Sequence, residues 1–249
     1  PLNLIRNAAR QYDKSYWRYL KSYSDPSNID WPSASDMRWD AFVGLVYGYT
    51  GHSWFLYQVT HAGLAPAFFE STAGGYQAPK TARWGIAGEI NAELASYGRT
   101  FCLLTSTDVR YIPYNPLGQP PLTTNWAPGA GADPFLTGVV AQENFQETQL
   151  GFFVDDCGDH YVALQNPNRS AGNFPTIMDT PATFALTFDF SAAGAGVDPT
   201  QIEYLDPVSD SVQTMPLQAA GAEMRLSVTL APGDLLLFKY KTQHSFARQ

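Results

Sequence analysis

Residues 36–59 read DMRWDAFVGLVYGYTGHSWFLYQV, and the way this stretch divides decides the fold. Met37, Ala41, Phe42, Leu45 and Val46 recur at helical spacing. Ser33 followed by Asp36 makes a capping-box-like start for that helix. Gly48 and Gly51 bracket its exit. A strand over Ser53–Val59 follows, loaded with Trp54, Phe55 and Tyr57, and the chain then turns polar at Gln58, Thr60 and His61. In a core strand such rings fill volume. At the rim of a barrel they form a platform for a sugar face.

The neighbouring segments extend the pattern. LNLIRNAARQY at the start reads as a helix already under way. Ser15–Tyr23, SYWRYLKSY, reads as an aromatic strand punctuated by Asp25-Pro26. Pro79 suits the first turn of a further helix. In that helix Ile86, Ile90 and Leu94 stack one turn apart and Gly98 ends the pattern. Strand and helix in alternation are the signature of parallel βα units. After residue 100 the rhythm becomes short strands separated by turns: 101–105, 109–112, 135–142, 147–154, 161–165, 184–190, 224–230 and 235–240. Phe184, Leu186, Phe188 and Phe190 alternate with smaller or polar residues, as do Met224, Leu226, Val228 and Leu230. This spacing predicts an antiparallel β-sandwich.

Composition narrows the function. The chain has 249 residues, 45% hydrophobic and 15% charged, which is ample for a folded core. Its net charge of -8 and scattered basic residues argue against a nucleic-acid partner, since phosphate binding needs clustered cations. No apolar run reaches the ~18 residues a membrane-spanning helix needs. Cys102 and Cys157 lack zinc-ligand spacing and read as two buried free thiols, or as a disulfide in a secreted protein. GxSxG and phosphate-loop motifs do not occur, and no metal or other cofactor is expected. The 14 Tyr, 15 Phe and 6 Trp fit a strand-rich fold with large cores, and equally a surface that stacks on sugars.

The order of elements resembles the end of a (β/α)8 glycoside hydrolase of the β-galactosidase-like kind in clan A. DMRWDAFVGLVYGYTGHSWFLYQV is similar to the last helix–strand step of that barrel, and SYWRYLKSY to its seventh strand. GGYQAPKTARWGIAGEINAELASYGRTF resembles its eighth helix, while GFFVDDCGDHYVALQNPNR and LAPGDLLLFKY resemble strands of the C-terminal sandwich. The resemblance implies α/β plus all-β architecture: a partial (β/α) barrel segment over residues 1–99, then the sandwich over 100–249. Strands one to six would lie upstream of Pro1, with the family's acid/base carboxylate. Where the family nucleophile Glu is expected, this chain has Lys21, Ser22, Tyr23 and Ser24. Gln58 stands where the family has a closing Trp.

The resemblance implies glycoside hydrolysis of β-linked oligo- or polysaccharides by two-carboxylate chemistry, or a fragment derived from such an enzyme. A non-catalytic carbohydrate-binding or assembly module that keeps the fold is the alternative. Function in such barrels sits at the C-terminal ends of the strands. That favours Glu70 and Asp25 over Asp30 and Asp40 as catalytic carboxylates, Glu70 because Phe68 and Phe69 beside it would raise a carboxyl pKa. Tyr57, Gln58, Trp54 and Trp31 are the candidate substrate contacts, with Trp39 a further stacking candidate. Asp155, Asp156, Asp159 and His160 read as a charged hairpin tip, with a calcium site as the alternative. Two parallel strands cannot close a barrel and leave unpaired edges. Self-association through residues 1–75 is therefore expected. Location stays open, with secreted or periplasmic ahead of cytoplasmic.

Overall fold

A computed structural model describes residues 2–23, 33–57, 67–70, 78–112, 122–142, 148–170 and 179–249. The first helix, α1 (Leu2–Gln11), is fastened by its buried Arg6, which donates to the Ser106 hydroxyl at 2.9 Å. β1 (Trp17–Lys21) precedes α2 (Ala34–Val46), which leads into β2 (Gly51–Phe55), and β2 pairs in parallel with β1. Ser33 caps α2 as expected, its hydroxyl accepting from the Asp36 N–H at 3.1 Å. All five residues of the anticipated face are buried, and so are Val43 and Gly44. The helix is covered on more than one side because it touches β1, α3 and the central strands of the sandwich.

β2 begins two residues before the expected Ser53, at Gly51, which pairs with Trp17. The next helix, α3 (Ala82–Phe101), departs from the sequence reading at both ends. Its N-cap is Thr81, because the Pro79 carbonyl accepts from the Glu70 N–H at 2.8 Å and stays outside the helix. The helix also passes Gly98 and ends at Phe101. The Phe101 ring, expected to open a strand, instead lies 5.2 Å from that of Phe153. Burying that ring against the sheet offsets the weak helix propensity of one glycine, a cost of about 1 kcal/mol.

The remainder is a sandwich built from β3 (Thr105–Ile112), β4 (Thr124–Asn125), β5 (Leu136–Ala141), β6 (Thr148–Val154), β7 (His160–Gln165), β8 (Ala182–Phe188), β9 (Val197–Asp206), β10 (Ser211–Pro216), β11 (Gln218–Ala220), β12 (Glu223–Leu230) and β13 (Leu235–Thr242). The larger sheet has seven strands in the order β10-β9-β13-β7-β6-β3-β4, and the smaller has four in the order β11-β12-β8-β5. Pairing is antiparallel except between β3 and the two-residue β4, which is parallel. Phe184, Leu186 and Phe188 of the small sheet meet Phe152, Leu164 and Phe238 of the large one. The opposite face of the large sheet, with Phe153, Tyr161 and Leu237, shares a core with α2 and α3. Hence β6, β7 and β13 are buried on both faces and read as near-continuous apolar runs.

β9 and β10 form a hairpin that the strand pattern did not predict. β10 is an edge strand with no buried side chain, so its alternation of apolar residues is faint. The turn itself is legible in DPVSD, where the Asp206 carboxylate accepts from the Val208 N–H at 3.0 Å and the Ser209 hydroxyl at 2.6 Å. Cys102 and Cys157 are free, and both are exposed rather than buried. One caps the C-terminus of α3 and the other sits in the β6–β7 turn, where neither meets the core.

The helical layer is joined to the sandwich at one ionic centre. Arg38 of α2 donates to both carboxylate oxygens of Glu93 on α3, at 2.8 and 2.7 Å, and to Asp234 before β13 at 2.7 Å. Burial opposes its charge, but the hydrogen bonds to Glu93 and the proximity of Asp234 outweigh it, so the guanidinium holds its proton more tightly than usual. Gly233 makes the approach feasible. It has φ +76°, and a Cβ there would stand 2.6 Å from the Ser35 carbonyl oxygen. Replacing Arg38 by Met strands two carboxylates in a poorly solvated site. Urea denaturation of Arg38→Met is expected to show a loss of roughly 3 kcal/mol, with a smaller loss for Glu93→Gln.

Candidate functional site

The β1–β2 ribbon has two unlike faces, and strand alternation assigns them. Arg18 and Leu20 pair in register with His52 and Trp54 and turn toward the helices. Arg18 forms an ion pair with Asp40 of α2, whose second oxygen accepts from the Lys21 N–H at 3.1 Å. Asp40 is thus committed to holding β1 on α2. His52 is pressed against Gly44, where a Cβ would lie 2.4 Å from its Nε2. Burial, and then the nearby Arg18 charge, push the His52 pKa down to about 4.

The other face carries Trp17, Tyr19 and Lys21 from β1 beside Gly51, Ser53 and Phe55 from β2. Trp17 lies over Gly51, where any Cβ would fall 2.4 Å from the indole. At the C-terminal ends of the strands, the Tyr19 and Tyr23 rings stand edge-on to Phe55 at 5.8 and 6.1 Å. The Lys21 ammonium lies 5.4 Å from the Tyr23 ring centre. Trp17 and Tyr19 were not among the candidate contacts expected from the sequence. The alternation in WRYLK could have singled them out once α2 was known to take Leu20.

The predicted site residues fall in several places. Trp54 faces the helical layer, donating to Asn91 of α3 at 2.9 Å and meeting Phe68 edge-on. The Phe55–Leu56 peptide bond is cis, and Tyr57 beyond it joins Phe68, Phe69 and Trp84, with ring centres 5.6 to 5.9 Å away. Lys80 caps that cluster, 4.2 Å above the Trp84 ring. Tyr57 keeps one side in water. Glu70 is exposed, while Phe68 and Phe69 turn inward and are buried. The apolar enclosure expected around its carboxyl therefore does not form among the described residues. Trp39 is not an open stacking surface, because the Arg169 guanidinium lies 3.5 Å from its ring centre. Asp25, Gln58 and Trp31, together with Asp30 and His61, lie outside the described residues.

At the hairpin tip, Asp155 accepts from the Cys157 and Asp159 N–H groups at 2.9 and 3.0 Å. Asp159 pairs with the fully buried Lys239 at 2.7 Å. These carboxylates are spent on turn geometry and on anchoring the chain end. Among the described residues no group of three or more His, Cys, Asp or Glu is placed to hold a metal ion.

No family model matches the chain, and no curated protein matches it. Among solved structures it is similar to a rhamnosidase from Novosphingobium sp. PP1Y, with a TM-score of 0.30 and 11% identity over 45% of this chain and 9% of that one. It is also similar to the catalytic domain of GH30 xylanase C from Talaromyces cellulolyticus, with a TM-score of 0.30 and 12% identity over 92% of this chain and 41% of that one. The chain spans less than half the length of either.

The buried imidazole gives a pH signature. With a folded pKa near 4 against 6.5 when exposed, His52 takes up its proton more readily in the unfolded chain. Its contribution is therefore full above pH 6.5 and declines as the pH falls toward 4. Urea melts between these limits should show His52→Asn losing less stability than the parent, by roughly 3 kcal/mol at the acid end.

Proposed function

We propose that the chain is a glycoside hydrolase-derived module that engages β-linked oligo- or polysaccharides at the C-terminal ends of β1 and β2. One observation carries this reading: the exposed Tyr57 stands just past the end of β2 against Phe68, Phe69 and Trp84, with the Lys80 ammonium over Trp84, on the side where parallel βα folds place their ligands. Exposed rings offer sugars their apolar faces, and the ammonium offers a donor to hydroxyls. The partial barrel implied by the resemblance is consistent with helices covering one face of the ribbon and rings covering the other.

A hydrolytic form needs an acid and a second carboxylate within about 10 Å of each other. Glu70 is the candidate acid, with Asp25 its nominated partner. The non-catalytic form is favoured by one feature: β1 ends in Lys21, Ser22 and Tyr23 rather than a carboxylate. Binding and product release on soluble β-glucan, β-xylan and β-galactan oligosaccharides separate the two. Tyr57→Ala and Lys80→Ala should each weaken binding roughly fivefold. Glu70→Gln should abolish product release and leave binding intact if the chain hydrolyses. Binding by the parent chain without product release supports the non-catalytic form. Absence of both on every glycan refutes the proposal.

A further inference from the structure

Among the described residues, seven of the ten exposed large hydrophobic side chains lie before residue 58. Three of them stand on the open face of the β1–β2 ribbon: Trp17 is 70% exposed, Tyr19 73% and Phe55 47%. Together these rings show water on the order of 400 Å², an area at which an apolar patch marks a contact surface. Among the described residues the two-stranded sheet also ends in an unpaired edge on each side. A sugar site needs convergent polar groups around its rings. Among the described residues this face sets the Ser53 and Tyr19 hydroxyls and Lys21 beside its rings, and no carboxylate or amide, so its chemistry suits another protein surface better.

The face is also self-complementary. Lys21 stands at one end of β1 and the ring of Trp17 at the other, two alternations away on the same side. A two-fold axis through Tyr19, perpendicular to the strands, brings each Lys21 ammonium onto the partner's Trp17 ring, a cation–π contact made twice. The same axis sets Tyr19 against the partner's Tyr19. The rings of both copies together bring about 800 Å² to the contact, the size of a weak, reversible association.

We propose that a second copy of this chain covers the β1–β2 face, the two ribbons packed face to face about that axis with their strands antiparallel. The contact is expected to have micromolar affinity, given its size. Sedimentation velocity on the purified 249-residue chain should show a reversible dimer across 1–100 μM. Lys21→Glu should weaken it at least tenfold, and Trp17→Ser with Tyr19→Ser should leave monomers with an unchanged circular dichroism spectrum. Because ring removal could unsettle the ribbon, a second measurement uses Ser53→Cys in a chain whose Cys102 and Cys157 are replaced by Ser. Ser53 lies beside Tyr19 near the axis, and face-packed sheets stand ~10 Å apart, so a bis-maleimide of about that span should yield a covalent dimer. A parent chain that stays monomeric at 100 μM overturns the proposal, as does a dimer unaffected by the triple change at Trp17, Tyr19 and Lys21. Failure of Ser53→Cys to cross-link overturns the two-fold arrangement. A monomer that binds β-glycan through Trp17 overturns it in favour of a sugar platform, leaving the rim site at Tyr57 to be judged on its own variants.

Discussion

Arg38 answers to two carboxylates from two directions: Glu93 on α3, through a bidentate pair, and Asp234 at the turn before β13. Most of the architecture hangs from that geometry. The three groups come from distant parts of the chain and are poorly solvated, so none of them is tolerable without the others. Satisfying them fixes α2 against α3 and both helices against the sandwich. Gln165 of β7 reinforces the joint, its amide donating to the Trp39 carbonyl at 3.2 Å. Once α2 is placed, β1 and β2 follow, because Asp40 on the same helix holds Arg18 and the Lys21 backbone.

The central sheet pays for this arrangement with charged groups in its interior, and Lys239 and Asp133 are each matched. Lys239 is fully buried on β13, where it pairs with Asp159 and donates to the His244 and Ser245 carbonyls at 2.7 and 3.1 Å. These bonds tie the C-terminal segment to the helical side of the sheet, where Phe246 meets Tyr161 edge-on. On the other face, Asp133 accepts from the Tyr240 hydroxyl and from the Phe135 and Leu136 N–H groups. Burial still pushes its carboxyl above the usual range. Such a network gives a sheet covered on both sides a single register, since a slip would strand a charge.

The ribbon of β1 and β2 is the exception to this completeness. It inherits order from α2 beneath it, yet on its outer face the rings of Trp17, Tyr19 and Phe55 stay exposed. The proposed sugar-binding and assembly surfaces both arise there, because among the described residues helices cover one side of this parallel βα unit and not the other. The sandwich is fully occupied in supporting that unit, and its own charged turns are consumed in local hydrogen bonds.

The sequence by itself determined the helix from Ala34, its Ser33 cap and its apolar face, and the alternating strands around Phe184 and Val228. Those features follow from local rules, in which a residue's neighbours three, four or two positions away dictate which side is buried. The order of βα units before sandwich strands was legible for the same reason. What only the tertiary structure decided is which element supplies the cover. Gly98 is a natural helix end, but the Phe153 ring draws the helix on to Phe101. WRYLK has two candidate faces, and it took Asp40 to turn Arg18 inward and leave Trp17 and Tyr19 in water. Phe68 and Phe69 looked like an apolar wall for Glu70, yet they fold onto Trp84 and leave the carboxylate exposed. In each case periodicity records that a side chain is buried, whereas the partner that buries it comes from far along the chain and enters only through packing.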